Sequence, residues 1–133
     1  ESLPMARALV IDYQNDRNIW NLADQWLFGE SLLVAPVFTA DGRRDVYLPE
    51  GEWTCWWSGR GRQGGLWITT ESPLEHIPIF LREGAIVPMT QPANFVGEKE
   101  IQRLEVKITR LTQPGARTSL PLTINGRPAS LEL

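Results

Sequence analysis

Apolar and polar positions alternate in short stretches along most of the chain, and the stretches are separated by Gly, Pro and Asn signals. Ala8–Ile11 reads as a short apolar strand. From Arg17 to Phe28 the period changes: Ile19, Leu22, Ala23 and Trp26 recur at i, i+3, i+4 and i+7, which predicts one amphipathic helix. Asp16 or Asn18 is its N-cap, and Gly29 stands where a left-handed C-terminal residue belongs. Ser31–Val37 is a continuous apolar run, the pattern of a strand buried on both faces.

Asp45–Leu48 and Trp53–Trp57 follow as strands, read as a hairpin closed by Pro49-Glu50-Gly51-Glu52. Trp53, Cys55 and Trp57 then share one face, and Thr54 and Trp56 the other. Gly59–Gly65 reads as a flexible surface loop. Leu66–Thr70, Ile77–Arg82 and Ala85–Pro88 are further strands. Leu104–Leu111 alternates, with Leu104, Val106 and Ile108 on one side. Gln113-Pro114-Gly115 fits a type II turn, and Asn125-Gly126 is a two-residue hairpin turn between Leu122–Ile124 and Leu131. Short strands with turn signals every few residues predict a mainly β protein, an antiparallel β-sandwich with one short N-terminal helix.

Composition narrows this picture. In 133 residues, 42% are hydrophobic and 22% charged, with a net charge of −3, enough apolar content for a core. Fibrous and disordered classes are excluded. Basic residues neither outnumber acidic ones nor cluster, so no nucleic acid is expected as partner. The longest apolar run stops at Pro36 and is too short to cross a membrane. Residues 1–91 hold all six Trp and a charge balance of −5, whereas 92–133 hold no Trp and a balance of +2. The polar join Thr90–Asn94 reads as a linker. The N-terminus shows no leader and no initiator Met, so an excised piece of a longer chain is expected, with the cytoplasm the default compartment.

Candidate chemistry is sparse. Cys55 is the only cysteine, so no intrachain disulfide or Cys-cluster metal site is expected; between two tryptophans it reads as a buried small hydrophobe. His76 is the only histidine and has no nucleophile partner by motif. Asp12, Asp16 and Asp24 suit capping or ion pairing, Asp41-Gly42 a turn, and Glu50 and Glu52 a solvated turn. Gly59–Gly65 lacks the Lys-Ser/Thr of a phosphate loop. Arg7 and Arg82 lie in apolar contexts that favour buried ion pairs. The tryptophans suit either a core or the stacking of sugar rings, and Trp56 and Trp67 are the candidates for a sugar surface. No catalytic residue, metal ligand or cofactor is assigned.

Several motifs occur together and in order. Leu3-Pro4-Met5-Ala6-Arg7 precedes Gln25-Trp26-Leu27-Phe28-Gly29-Glu30-Ser31-Leu32-Leu33-Val34-Ala35-Pro36-Val37. Tyr47-Leu48-Pro49-Glu50-Gly51-Glu52-Trp53 follows, then Pro73-Leu74, Ile77-Pro78 and Arg82-Glu83-Gly84-Ala85-Ile86-Val87-Pro88. Over residues 3–89 this set resembles glycoside hydrolase family 31, at the exit from its catalytic barrel and in its first C-terminal β-domain. Val37-Phe38-Thr39 with Pro49–Thr54 is similar to the bacterial α-xylosidase branch, with α-glucosidases close behind. The resemblance implies 1–29 as the barrel tail, 30–91 as a proximal β-sandwich and 92–133 as the start of a distal β-domain or extra hairpins. Residues 92–133 lack the acidic turn common in that distal domain.

The resemblance further implies retaining α-glycoside hydrolysis by two barrel aspartates upstream of this stretch. None of Asp12, Asp16, Asp24, Asp41 or Asp45 lies in the family's catalytic motifs. Arg7 and Gln25 match family positions and are assigned packing and hydrogen-bonding roles. The chain alone is therefore expected to be inert, its partners being the barrel of the same polypeptide and, through it, a carbohydrate. The rival expectations are a free-standing carbohydrate-binding module and a truncated, incomplete fold.

Overall fold

The computed structural model describes residues 3–95 and 97–133; Glu1-Ser2, on which the expectation about the N-terminus rests, lies outside them. The chain is mainly β, and it divides into two compact units, one running to Glu83 and the other Gly84–Leu133.

In the first unit the elements are β1 (Ala6–Ala8), α1 (Leu9–Asp12), a 3-10 turn (Arg17–Ile19), β2 (Trp26–Phe28), β3 (Leu32–Val34), β4 (Arg43–Leu48), β5 (Glu52–Cys55), β6 (Gly61–Gln63), β7 (Leu66–Glu71) and β8 (Ile79–Arg82). Six strands form an antiparallel sheet in the order β1-β2-β3-β8-β5-β6, and β4 and β7 form a separate antiparallel ribbon. Leu27, Leu33, Trp53 and Phe80 of the sheet and Val46, Tyr47 and Leu48 of the ribbon share one core with Leu9 and Ile19. This is the two-layer arrangement of the expected sandwich.

Several local expectations are corrected. Arg17–Phe28 is not a helix. Asp16 does cap, accepting the Asn18 N–H at 3.0 Å, but only one 3-10 turn follows. Trp26-Leu27-Phe28 is drawn into the sheet between β1 and β3, where aromatic and branched side chains pack well. Leu27, which a helical face would leave out, is fully buried. Gly29 does adopt a left-handed backbone (φ +62°), but it turns the β2–β3 hairpin instead of ending a helix. The strand expected at Ala8–Ile11 ends at Ala8, and one helical turn carries Asp12 back beneath Arg7. Ser31–Val37 contributes only three strand residues; Leu33 is buried, while Leu32 and Val34 are half-buried, so one face is covered more than the other.

β4 and β5 do not form a hairpin. β4 pairs with β7, and β5 with β6 and β8, so Pro49–Gly51 crosses between layers. The crossing is anchored by the buried Trp53 indole N–H, which donates to Pro49 O at 2.8 Å. The Gly59–Gly65 stretch is not a flexible loop throughout: Gly61–Gln63 is an exposed edge strand on β5. The strand before it ends at Cys55, so Trp57 leaves the core face and is 48% exposed.

The second unit holds β9 (Ile86–Met89), β10 (Glu105–Ile108), β11 (Ser119–Ile124) and β12 (Arg127–Glu132), paired β9 with β10 and β11 with β12. In β10, Ile108 is half exposed and the following Thr109 is buried, so burial does not follow the expected Leu104–Val106–Ile108 face to its end. The Thr109 hydroxyl accepts the Ala85 N–H at 2.7 Å. Both expected turns form. The Ala116 N–H donates to Gln113 O at 3.1 Å across Pro114-Gly115. Asn125 and Gly126 both have positive φ (49° and 77°), the conformation that a type I′ hairpin requires.

Candidate functional site

The chemistry-bearing side chains of the first unit are almost all committed to holding the fold. Gln25 is 1% exposed. Its amide N–H donates to Tyr47 O at 2.6 Å and its carbonyl accepts the Tyr47 N–H at 3.0 Å. A side chain thus supplies β4 with the backbone partners that a neighbouring strand would give, and it ties the ribbon to the start of β2.

Arg7, on β1, is buried and forks onto Asp12: Nε to Oδ1 and Nη2 to Oδ2, both 2.8 Å. Its Nη1 donates to Gly29 O at 2.7 Å. The bidentate hydrogen bond from Arg7 holds the Asp12 carboxyl below its usual range, against the opposing effect of burial. Arg82 adds its charge from 3.9 Å, donates to the Tyr13 hydroxyl, and lies over the Tyr13 and Trp53 rings at 5.2 and 5.8 Å. Arg7 is thus buried and paired as expected, whereas Arg82 is only half-buried. The cluster floors an open concavity rimmed by Leu3, Met5 and Glu50.

The sign of the Asp12 shift fixes a pH dependence. A carboxyl depressed on folding contributes stability that is full above its unfolded value near ~3.9 and is lost as pH falls through the lower folded value. Asp12→Asn is expected to flatten the loss of stability below about pH 4. At neutral pH it should cost about 3 kcal/mol, because Arg7 stays buried without its counter-ion. Urea midpoints at several pH values check both; equal acid sensitivity in the variant would assign the loss to other carboxylates.

The remaining aspartates are also engaged. Asp16 accepts from the Tyr47 hydroxyl at 2.6 Å and from Asn18; burial opposes ionisation there, but these bonds win and its carboxyl sits low. Asp24 pairs with Arg44 at 2.9 Å. Asp41 is also held low, by the Thr39 hydroxyl and the Arg43 N–H. Asp45 accepts from Thr69 at 2.6 Å. A general acid needs a carboxyl pushed upward, and no described aspartate whose carboxyl is shifted moves that way. Among the described residues, no group of three His, Cys, Asp or Glu could hold a metal ion, and no helix is long and apolar enough to cross a membrane.

The candidate sugar platforms separate. Trp56 lies half-buried in the turn after β5. Trp67, on β7, is 49% exposed and tilts against Tyr47 with ring centroids 5.3 Å apart. Cys55 is half-buried rather than sealed in the core; burial would raise its thiol, but the Ser58 hydroxyl and neighbouring N–H groups outweigh that and hold it low. His76 stacks on Trp57, at 3.9 Å and 5° between planes. Sequence reasoning grouped Trp57 with the core face; the Ser58-Gly59 turn signal directly after it was the available warning.

Comparison with known proteins decides the family. Residues 2–87 match the model of the glycosyl hydrolase family 31 C-terminal domain. The chain belongs to glycoside hydrolase family 31. Among curated proteins, an isomaltosyltransferase of Sporosarcina globispora is 36% identical over 70% of this chain and 9% of its own length. Alpha-glucosidase 2 of Bacillus thermoamyloliquefaciens is 36% identical over 65% of this chain and 11% of its own. An alpha-xylosidase of Saccharolobus solfataricus is 35% identical over 62% and 12%. A solved family 31 dextranase of Flavobacterium johnsoniae superposes with a TM-score of 0.86 at 31% identity, covering 98% of this chain and 18% of that one. The family 31 chain thus spans about a tenth of the length of the curated relatives it matches, and it corresponds to their C-terminal β-rich part.

Proposed function

We propose that this chain is the non-catalytic C-terminal portion of a retaining α-glycosidase that hydrolyses α-glucosides or α-xylosides. Residues 1–29 lead out of a catalytic barrel, the proximal sandwich follows as far as Glu83, short of the expected limit at residue 91, and Gly84–Leu133, where β9 pairs with β10, opens a distal β-domain. β1 and β2 share a sheet with β3, so the exit segment is itself part of the sandwich. The barrel of the same polypeptide is the partner, and the carbohydrate is met through it. The observation that carries the reading is the family match, which falls on the C-terminal domain. The aspartates, spent on ion pairs and caps, agree with it. The rival of a free-standing sugar-binding module accounts less well for that match.

The test is an assay on aryl α-glucoside and aryl α-xyloside, with the chain alone and with the chain joined to a family 31 barrel. The chain alone is expected to give no turnover above buffer. Turnover by it within tenfold of the joined form would overturn the proposal.

A further inference from the structure

Trp57 is left outside the core and is yet held on two sides. Its indole N–H donates to Ile77 O at 2.7 Å, which fixes the plane of the ring. The His76 imidazole covers one face, nearly parallel, at 3.9 Å. The residue nevertheless remains 48% exposed. A core tryptophan hides its surface, and an incidental surface tryptophan is free to turn; Trp57 does neither.

The ring borders a cleft that Ser58, Arg60, Arg62 and Glu71 also line. Glu71 is paired with Arg43 at 3.2 Å, so its charge is partly answered. No ion pair among the described residues holds the Arg60 or Arg62 guanidinium. Each presents a planar fork of donors. An anchored indole lining the same cleft as two guanidinium forks and a hydroxyl matches one chemical class. A pyranose offers a flat C–H face to the ring and adjacent hydroxyls to the guanidinium forks. The cleft measures about 210 Å³, below the ~300–1,000 Å³ of sites that enclose a drug-sized molecule, and suits one sugar ring lying across its mouth.

We propose that the Trp57–Arg60–Arg62 cleft is a sugar-stacking subsite of this domain for neutral pyranosides. The ring is preorganised, so little side-chain freedom is lost when the sugar arrives. Affinity rests on one stacked ring and a few exposed hydrogen bonds, which places the dissociation constant at about 1–10 mM.

Titration of the chain with isomaltotriose, methyl α-xyloside and glucuronate, followed by the indole N–H signals in two-dimensional NMR, tests this. The expected result is a saturable shift of the Trp57 signal with the neutral sugars, and none at Trp67. Trp57→Ala should weaken binding at least tenfold, and Trp67→Ala should leave it unchanged. Should Trp57→Ala disturb the turn, Arg62→Ala, on the exposed edge strand, keeps the question decidable and is expected to weaken binding about threefold with an unchanged melting curve. No saturable shift, a response to glucuronate alone, or full binding by both Trp57→Ala and Arg62→Ala would overturn the proposal. Binding is read without turnover, so its failure leaves the glycosidase reading standing, and the reverse also holds.

Discussion

Gln25→Leu will destabilise the first unit by about 2–6 kcal/mol, read as a fall in the urea midpoint. Leucine nearly matches the glutamine in volume, so the core loses little packing. What it loses is both hydrogen-bond partners of Tyr47, whose N–H and carbonyl lie buried against Gln25. An orphaned buried backbone group costs ~1–3 kcal/mol, and there are two. Gln25→Glu separates the contributions: it keeps the acceptor for the Tyr47 N–H but sets a carboxyl against the Tyr47 carbonyl. It should recover part of the loss at acid pH, where the protonated carboxyl can donate. A cost below about 1 kcal/mol for Gln25→Leu, less than one orphaned group, would show that water or a shifted strand replaces the side chain.

Gly64→Ala is the second large effect, and its cause is steric. A Cβ at Gly64 would stand 1.8 Å from Pro49 O and 2.8 Å from Gly51 O, both rigid backbone atoms. The same region carries the Gly64 N–H bond to Gly51 O at 2.7 Å and the Gly65 N–H bond to Leu48 O at 2.8 Å. No rotamer relieves the clash. The crossing at Pro49–Gly51 has to move, and with it the carbonyl that satisfies the Trp53 indole. The expected loss is at least about 3 kcal/mol, comparable with emptying a large core site, and the folded fraction on expression should fall accordingly. Gly61→Ala is the control, since nothing lies within 4 Å of a Cβ there. Equal melting temperatures for the two variants would contradict the geometry.

How much of this was legible in the sequence depends on how local each cause is. Asn125-Gly126 and Gln113-Pro114-Gly115 act within four residues, and both turns form as the residues dictate. The Asp16 cap is equally local and equally visible. Trp26–Phe28 shows the limit. Its helical spacing is real, but chain outside the segment decides the matter: β3 just after it and β1 far before it offer Leu27 two strands to pair with, and pairing overrides a short period. The apparent β4–β5 hairpin fails for the same reason, because β7 and β8 claim the two strands. The family motifs identified the domain correctly, since a set of ordered motifs records such distant constraints together. Gln25 carried a signal that propensity could not interpret: an amide next to Trp26-Leu27-Phe28, with neither a cap nor a turn to serve. Trp57 was misplaced by extending the β5 alternation two residues too far.

The six-stranded sheet stops at a three-residue strand on each side, β1 at one border and β6 at the other. A foreign strand arriving at either border finds too few free amides and carbonyls to register against, and at β6 it also meets the Arg62 guanidinium. That sheet therefore resists templated growth without closing into a cylinder.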